Sequence, residues 1–241
     1  MEHMPTQPPE WYEHPQIKYM KNIDPNISSM DQFYAVKSFD WSGEKAQVDL
    51  FCDLLKTIDS SNPSMIELGS AGVGGSFYSV LFEKWFDKKC TIINVDPRKE
   101  MLEEVKTYWK DLHLVNAKLY HGYVGIPKHY QALPDFVTEK TPFLRIKYML
   151  EENGIEKLDI LHADIQGSEI SVCEEMKSDG ILNKVRYFFI STHSGEGVNT
   201  YRPCVELFSN SINCKFHFSD PLNGGWGDGL IVVENLEWNN I

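Results

Sequence analysis

Two carboxylates and a histidine follow two apolar stretches of the chain and are its best candidates for chemistry. Asp164 and Glu169 come after the largely apolar run Leu158–Ala163, and His193 comes after the run 185–190. Such runs are typical of parallel strands buried on both faces, whose carboxyl ends meet at one edge of a sheet. We therefore expect Asp164 and His193 to lie close together, where they could act as a general base or bind a metal ion.

Asp164, His193 and Glu169 are accordingly predicted as catalytic residues. Simpler roles remain open at this stage. The two acids could serve as helix-capping residues beside Gly167, which allows a sharp turn. His193 could be an ordinary hydrogen-bonded residue at a strand end.

A glycine-rich turn after the first predicted strand is the best candidate for a cofactor site. The strand 65–68 runs into the turn 69–75, and a predicted helix, 76–85, follows. Glycine lets a ligand approach backbone amides, and the helix N-terminus offers unpaired N–H groups. Glu67 would repel a pyrophosphate but suits a cationic group, such as the amino group of S-adenosylmethionine. Ala71 stands where the dinucleotide pattern needs its second glycine, which argues against a dinucleotide. The predicted cofactor contacts of this stretch are Glu67, Gly69, Ser70, Ala71, Gly72 and Gly75.

Further residues are predicted to hold the rest of an adenosyl cofactor. Asp96 ends the second predicted strand about twenty residues beyond the turn, where nucleotide-binding folds place an acid for the ribose hydroxyls. Its alternative role is to cap a helix that has Pro97 at its first position. Tyr123, with His121 as a second candidate, lies at the third strand end, which should face the adenine. Asp164 is also predicted to contact the cofactor.

Alternating strands and helices must position these residues. Strands are predicted at 65–68, 90–96, 117–124, 158–163 and 185–190, with two antiparallel strands at 214–218 and 230–234. Helices are predicted at 42–58, 76–85, 98–110, 141–153 and 201–213, and another begins next to Gly167. This order predicts an α/β fold with a seven-stranded, mostly parallel sheet and helices on both faces. Residues 1–42, rich in Pro and aromatic residues, are predicted as an extension with a possible lid role, and residues 43–241 as the main domain.

Composition limits the class of protein. The 241 residues, 42% of them hydrophobic, suit one α/β domain. A net charge of −12 repels phosphate backbones and anionic lipid, so neither nucleic acid nor membrane is an expected partner. The N-terminus lacks the pattern of a signal peptide, which predicts a cytoplasmic protein. The five scattered cysteines predict buried thiols rather than a zinc site. A homodimer is compatible with the sequence.

The block Asp164-Ile165-Gln166-Gly167-Ser168-Glu169, with Ile66-Glu67-Leu68-Gly69 upstream and Asp96 between them, resembles the FkbM family of methyltransferases. The resemblance covers roughly residues 60–195. It implies the class I methyltransferase Rossmann-like fold, S-adenosylmethionine as cofactor, and methylation of hydroxyl oxygens on sugars, polyketides and other secondary metabolites.

The chain departs from the family at two places. The glycine turn is longer than the family's. His193 ends a strand where the family often has an acid, which leaves the general base open between Asp164 and His193. In related metal-dependent O-methyltransferases, carboxylates after strands four and five hold magnesium. Asp164 matches the first, but His193 would be an unusual ligand for a hard cation, so Mg²⁺ stays open with these two residues as its candidates.

The expected activity is transfer of a methyl group from S-adenosylmethionine to a hydroxyl of a small molecule, sugar or glycan, or secondary metabolite, by the domain 43–241. One alternative is an N- or C-methyltransferase on the same scaffold. A second is a nicotinamide-dependent oxidoreductase, which Glu67 and the missing glycine pattern disfavour. The third is a non-catalytic adenosyl-binding module.

Overall fold

The computed structural model describes residues 41–69, 77–86, 89–111, 117–125, 140–195, 198–224 and 228–240. The strands are β1 (Ser64–Leu68), β2 (Thr91–Asp96), β3 (Ala117–His121), β4 (Tyr123–Val124), β5 (Phe143–Leu144), β6 (Leu158–Ala163), β7 (Val185–Thr192), β8 (Ser194–Gly195), β9 (Val198–Asn199), β10 (Cys214–Gly224) and β11 (Asp228–Asn235). The α-helices are α1 (Trp41–Leu55), α2 (Phe77–Trp85), α3 (Lys99–Asp111), α4 (Ile146–Glu152), α5 (Glu169–Ser178) and α6 (Tyr201–Ser211). Short 3₁₀ turns lie at Leu182–Lys184 and Trp238–Asn240.

A seven-stranded sheet in the order β10-β11-β7-β6-β1-β2-β3 forms the centre of the fold. β1 pairs in parallel with β2 and β6, β2 with β3, and β6 with β7. β11 runs antiparallel to both β7 and β10. The predicted α/β class, the seven-stranded sheet and its antiparallel ending are confirmed. After β1 the chain adds β2 and β3 on one side of that strand, and it later adds β6 and β7 on the other side. The strand order therefore reverses between β1 and β6.

The central strands are buried because helices cover both faces of the sheet. Every residue of β1 and β6 is buried. On one face α1 and α2 pack against the sheet through Phe51, Leu55, Leu81 and Phe82. On the other face α4, α5 and α6 contribute Met149, Cys173 and Phe208. All five cysteines are free thiols and four of them are buried, as predicted. Within the described ranges, no helix is both long enough and apolar enough to cross a bilayer.

The region after β3 differs from the prediction. The third strand leaves the main sheet at Gly122, where a Cβ would stand 2.6 Å from the carbonyl oxygen of Pro142. β4 pairs instead with β5, which occupies part of the predicted helix 141–153. That helix begins only at Ile146, because residues 143 and 144 pair with β4 and Arg145 is extended.

Gly154 follows the end of α4, one residue beyond the predicted helix 141–153. Gly154 has a φ of +64°. Its N–H donates to the Glu151 carbonyl at 3.2 Å, and the Ile155 N–H donates to the Leu150 carbonyl at 2.9 Å. These two bonds satisfy carbonyls that the helix end would otherwise leave unpaired.

Trp238 anchors the end of the chain to the sheet. Its indole N–H donates to the Lys184 carbonyl at 3.1 Å. Lys157 donates to the Trp238 carbonyl at 3.0 Å, and its ammonium lies 5.1 Å from the indole ring. The Arg186 guanidinium lies 5.4 Å from the same ring. Two cations, a hydrogen bond and burial therefore hold one aromatic side chain.

We expect Trp238→Ala to lower the free energy of unfolding by about 3 kcal/mol, because it opens a cavity and leaves a carbonyl unpaired. Urea denaturation followed by circular dichroism measures this change. The variant Trp238→Phe keeps most of the packing and should lose only about half as much. A loss below about 1 kcal/mol for the alanine variant would contradict the anchoring role.

Candidate active site

The backbone is tightly packed where the strand order reverses. The Asp164 N–H donates to the Leu68 carbonyl at 3.0 Å, and the Gly69 N–H donates to the Val95 carbonyl at 2.9 Å. Gly69 has a φ of +88°, and a Cβ there would stand 1.9 Å from the Asp164 carbonyl oxygen. Only glycine fits this approach, so Gly69 fixes the ends of β1 and β6 against each other.

The structure brings together the three residues that the sequence predicted for catalysis. His193 Nδ1 lies 2.7 Å from Glu169 Oε1, and His193 Nε2 lies 3.2 Å from Asp164 Oδ1. The three side chains differ in exposure: Asp164 is 46% exposed, His193 12% and Glu169 0%. Asp164 is therefore the member of the cluster that faces solvent, and Glu169 is the member farthest from it.

A strained turn between β6 and α5 carries this cluster. Gln166 has a φ of +52°, which is uncommon for a residue with a side chain, and Gly167 has a φ of +102°. Glu169 Oε1 accepts hydrogen bonds from the backbone N–H of Gly167 at 3.1 Å and of Ile165 at 3.3 Å. The prediction that Gly167 allows a sharp turn is confirmed, and Glu169 supplies the acceptor that holds the turn.

Two residues of the cluster were not predicted for the site. The Gln166 Nε2 atom lies 2.9 Å from His193 Nε2 and 3.3 Å from Asp164 Oδ1. The position of Gln166 between Asp164 and Glu169 in the sequence could have predicted its place in the site. Thr200 Oγ1 accepts the His193 N–H at 2.9 Å, and the Thr200 N–H donates to the His193 carbonyl at 3.1 Å. Thr200 had no sequence signal, since only the fold places it there.

The electrostatics of the cluster assign the proton to His193. Burial by itself would lower the pKa of His193, but hydrogen bonds to Asp164 and Glu169, and the charges of these residues, raise it from 6.5 to about 10. Burial would likewise raise the pKa of Asp164, but its hydrogen bond to His193 and the charge on the ring hold it below its ordinary value. At neutral pH the pair is an imidazolium and a carboxylate, and the Gln166 amide must then turn its oxygen rather than its nitrogen toward His193 Nε2. An imidazolium has no lone pair with which to accept a proton, so this state disfavours His193 as a general base.

The same arrangement does not fit a magnesium ion. Both ring nitrogens of His193 face carboxylates, so neither has a lone pair directed at a metal. Among the described residues, no group of three or more His, Cys, Asp or Glu side chains is arranged to hold an ion. Magnesium, which prefers oxygen ligands in octahedral geometry, finds no such set in this cluster.

Glu67 lies inside the sheet rather than on its surface, with 0% of the residue exposed. Its Oε2 accepts the Ser79 N–H at 3.0 Å, the Ser79 hydroxyl, and the Asn94 amide at 3.4 Å. Glu67 thus pairs an N–H in the first turn of α2 that would otherwise be unsatisfied. Its Oε1 lies 3.3 Å from His162 Nδ1, and neither atom makes a hydrogen bond within the described part of the chain. No atom of Glu67 is exposed to a ligand, so the carboxylate predicted to bind a cationic group instead supports α2 inside the fold.

Asp96 is also fully buried, and an arginine covers its carboxylate. Asp96 Oδ1 accepts the Arg98 backbone N–H at 2.8 Å and Nε at 3.0 Å, and Oδ2 accepts Nη2 at 3.0 Å. The alternative sequence interpretation placed Pro97 at the first helical position, which is wrong, because α3 begins at Lys99. Arg98 therefore occupies both carboxylate oxygens of Asp96.

His121 and Tyr123 lie at and just after the end of β3, and their predicted contact with an adenine stays a prediction. His121 is opposite Asp96 in the β2–β3 register, and its Nε2 lies 3.1 Å from the Pro97 carbonyl oxygen. The Tyr123 ring packs 5.3 Å from the ring of Phe143, which is 41% exposed. The predicted contacts Ser70, Ala71, Gly72 and Gly75, and the possible lid within residues 1–42, lie outside the described residues, apart from the first residues of α1.

Comparison with known proteins gives matches in structure but not in sequence. No family model and no curated protein matches the chain. The METTL16 methyltransferase domain, in two crystal forms, superposes with a TM-score of 0.51 at 12% and 13% identity, over 78% of this chain and 65% of that one. A protein from Clostridium thermocellum assigned as an rRNA methylase superposes with a TM-score of 0.50 at 8% identity, over 77% of this chain and 93% of its own.

The chain has the class I methyltransferase fold. Most of the chain superposes on these neighbours, and identities this low show the fold alone. Membership of the FkbM family stays a prediction, since no family model matches. In open α/β sheets, ligands bind outside the carboxyl ends of the strands where the strand order reverses. In this class I methyltransferase fold that position lies between β1 and β6, beside Gly69 and Asp164.

Proposed function

We propose that this protein transfers a methyl group from S-adenosylmethionine to a hydroxyl oxygen of a small molecule, a sugar or glycan, or a secondary metabolite. The observation that carries the proposal is the half-exposed Asp164 carboxylate, held ionised by His193 beside the reversal of strand order. A carboxylate at this point of a class I methyltransferase fold can receive the proton that a hydroxyl loses on methylation.

The residues present fit an adenosyl cofactor. Asp96, at the end of β2, bonds Arg98 with both carboxylate oxygens, and the ribose hydroxyls would replace that guanidinium. Glu67 is buried and would hold the first turn of α2 rather than contact the amino group. Tyr123 would contact the adenine, and the turn that begins at Gly69 would contact the methionine end. When bound, the cofactor supplies a methyl group activated by attachment to a positively charged sulfur.

The chain's own residues would orient the acceptor and take its proton. Asp164 accepts a hydrogen bond from the acceptor hydroxyl and aligns its oxygen for in-line attack. A low pKa makes Asp164 a weak base before reaction. The acceptor proton becomes strongly acidic as the oxygen forms its new bond, so a weak base suffices to receive it. His193 keeps the carboxylate ionised and oriented throughout.

Other acceptor classes are weaker alternatives. An amine could donate to Asp164 in the same way, so N-methylation needs the same cluster. One structural neighbour is assigned as an rRNA methylase, which brings a nucleic-acid acceptor into consideration. The net charge of −12 opposes binding of a phosphate backbone, and we therefore favour a small acceptor.

Calorimetric titration with S-adenosylmethionine, S-adenosylhomocysteine and NAD tests the cofactor class. We expect micromolar binding of the two adenosyl compounds and none of NAD. A transfer screen with monosaccharides, phenols, amines and an rRNA fragment then tests the acceptor. Binding of neither adenosyl compound would overturn the proposal, and transfer only to amines or RNA would overturn its acceptor class.

Arg98 gives a further test, since it occupies the atoms of Asp96 that a ribose would use. We expect Arg98→Ala to tighten S-adenosylmethionine binding by about 5-fold, because a charge-assisted hydrogen-bonded pair no longer has to be broken. Asp96→Asn should instead weaken binding. Titration calorimetry measures both changes, with Arg202→Ala on the exposed face of α6 as the matched control. Unchanged affinity in both variants would remove Asp96 from the site.

A further inference from the structure

The deepest residue of the cluster has contacts that a helix cap alone does not require. Glu169 begins α5 and is 0% exposed, so it cannot touch an acceptor molecule. Its Oε1 nevertheless has three partners: the N–H groups of Ile165 and Gly167 and the ring of His193. One buried oxygen thus joins the turn after β6 to the residue after β7.

Two independent features show that this connection holds geometry that would otherwise relax. The turn contains Gln166 at a positive φ, a conformation that persists only when its surroundings hold it. The His193 ring is fixed at Nδ1 by Glu169, while its backbone is fixed from the other side by two hydrogen bonds with Thr200. The ring therefore has one orientation, in which Nε2 faces Asp164.

We propose that Glu169 is a positioning residue, which holds the His193 ring and the 164–167 turn so that His193 Nε2 donates to the Asp164 carboxylate. Glu169 fixes the His193 ring through Nδ1, and the ring fixes the Asp164 carboxylate through Nε2. Asp164 is then the residue of the three that contacts the acceptor. The catalytic part of this inference rests on the proposed methyl transfer. The chain of contacts Glu169–His193–Asp164, called the relay below, rests on the observed distances themselves.

The variant Glu169→Gln tests the relay because it keeps the shape of the side chain and removes its charge. We expect the pKa of His193, followed by NMR, to fall from about 10 in the wild type. We expect kcat for transfer to fall by roughly 10²-fold, because the carboxylate is no longer held in one position. Affinity for S-adenosylmethionine should stay unchanged. The matched control is Glu206→Gln, an exposed acid on α6 that should change none of these values.

The pH dependence of the free energy of unfolding should also reveal the contact between Glu169 and His193. The folded pKa of His193 lies above its ordinary value of 6.5. The stabilisation from its paired proton is therefore fully present below about pH 6.5 and is lost as the pH rises toward 10. The difference in unfolding free energy between wild type and Glu169→Gln should shrink over this interval, and the Glu206→Gln difference should stay constant.

Hydrogen exchange and the wild-type titration keep the test decisive if Glu169→Gln folds poorly. In the wild type the amides of Ile165 and Gly167 should be protected from exchange although they lie in a turn, because both donate to Glu169 Oε1. An ordinary His193 pKa near 6.5 in the wild type, or rapid exchange of these two amides, would overturn the positioning role. If the His193 pKa and the amide exchange are as expected but S-adenosylmethionine does not bind, the proposed function is overturned and the relay is retained.

Discussion

Asp164→Asn is expected to lower methyl transfer by roughly 10²- to 10⁴-fold, because it removes the group that takes the acceptor proton. Asparagine has nearly the same shape and can still accept a hydrogen bond from His193 Nε2, which lies 3.2 Å from the carboxylate it replaces. The Asp164 N–H, which bonds to Leu68, is not altered. The fold should therefore persist while proton transfer fails. The measurement is kcat with an acceptor found in the transfer screen.

Two comparisons make this result specific. Asp53→Asn, on the exposed face of α1, is the same chemical change far from the cluster and should leave kcat unchanged. The affinity of Asp164→Asn for S-adenosylmethionine shows whether Asp164 also contacts the cofactor, as the sequence predicted. Retention of near-normal turnover by Asp164→Asn would remove Asp164 as the base. It would also leave the acceptor proton to solvent.

Gly69→Ala is expected to destabilise the protein by about 4 kcal/mol, since it combines a backbone clash with an unfavourable φ. The added Cβ would stand 1.9 Å from the Asp164 carbonyl oxygen, and backbone atoms in a packed sheet cannot move aside cheaply. The ends of β1 and β6 would separate, which displaces Asp164. We therefore expect loss of cofactor binding together with the loss of stability, measured by calorimetry and urea denaturation.

Gly154→Ala provides a matched control for this effect. Gly154 also has a positive φ, +64°, but no atom lies within 4 Å of the position of an added Cβ. This variant should lose only about 1 kcal/mol of unfolding free energy, from the unfavourable φ alone, and should bind the cofactor normally. Equal destabilisation by the two substitutions would mean that the close approach of Gly69 to Asp164 contributes nothing.

The sequence determined the seven strands of the main sheet, approximately, and the edge at which the polar residues meet. The apolar runs before Asp164 and His193 predicted that edge, because a strand buried on both faces has a local signature and parallel strands end at a common edge. The glycine turn that begins at Gly69 was predicted as a cofactor contact, but the close approach of Gly69 to Asp164 was not predicted. The short β4–β5 pair was missed because its two-residue strands carry no periodicity.

Only the tertiary structure decided what each polar side chain does at that edge. Glu67 and Asp96 look like exposed ligand contacts in the sequence, yet Ser79 and Arg98 cover them in the fold. His193 looks like a base, yet the two carboxylates around it keep it protonated. Exposure, hydrogen bonding and pKa depend on neighbours contributed by other strands and helices. The residue's own stretch of sequence does not contain that information.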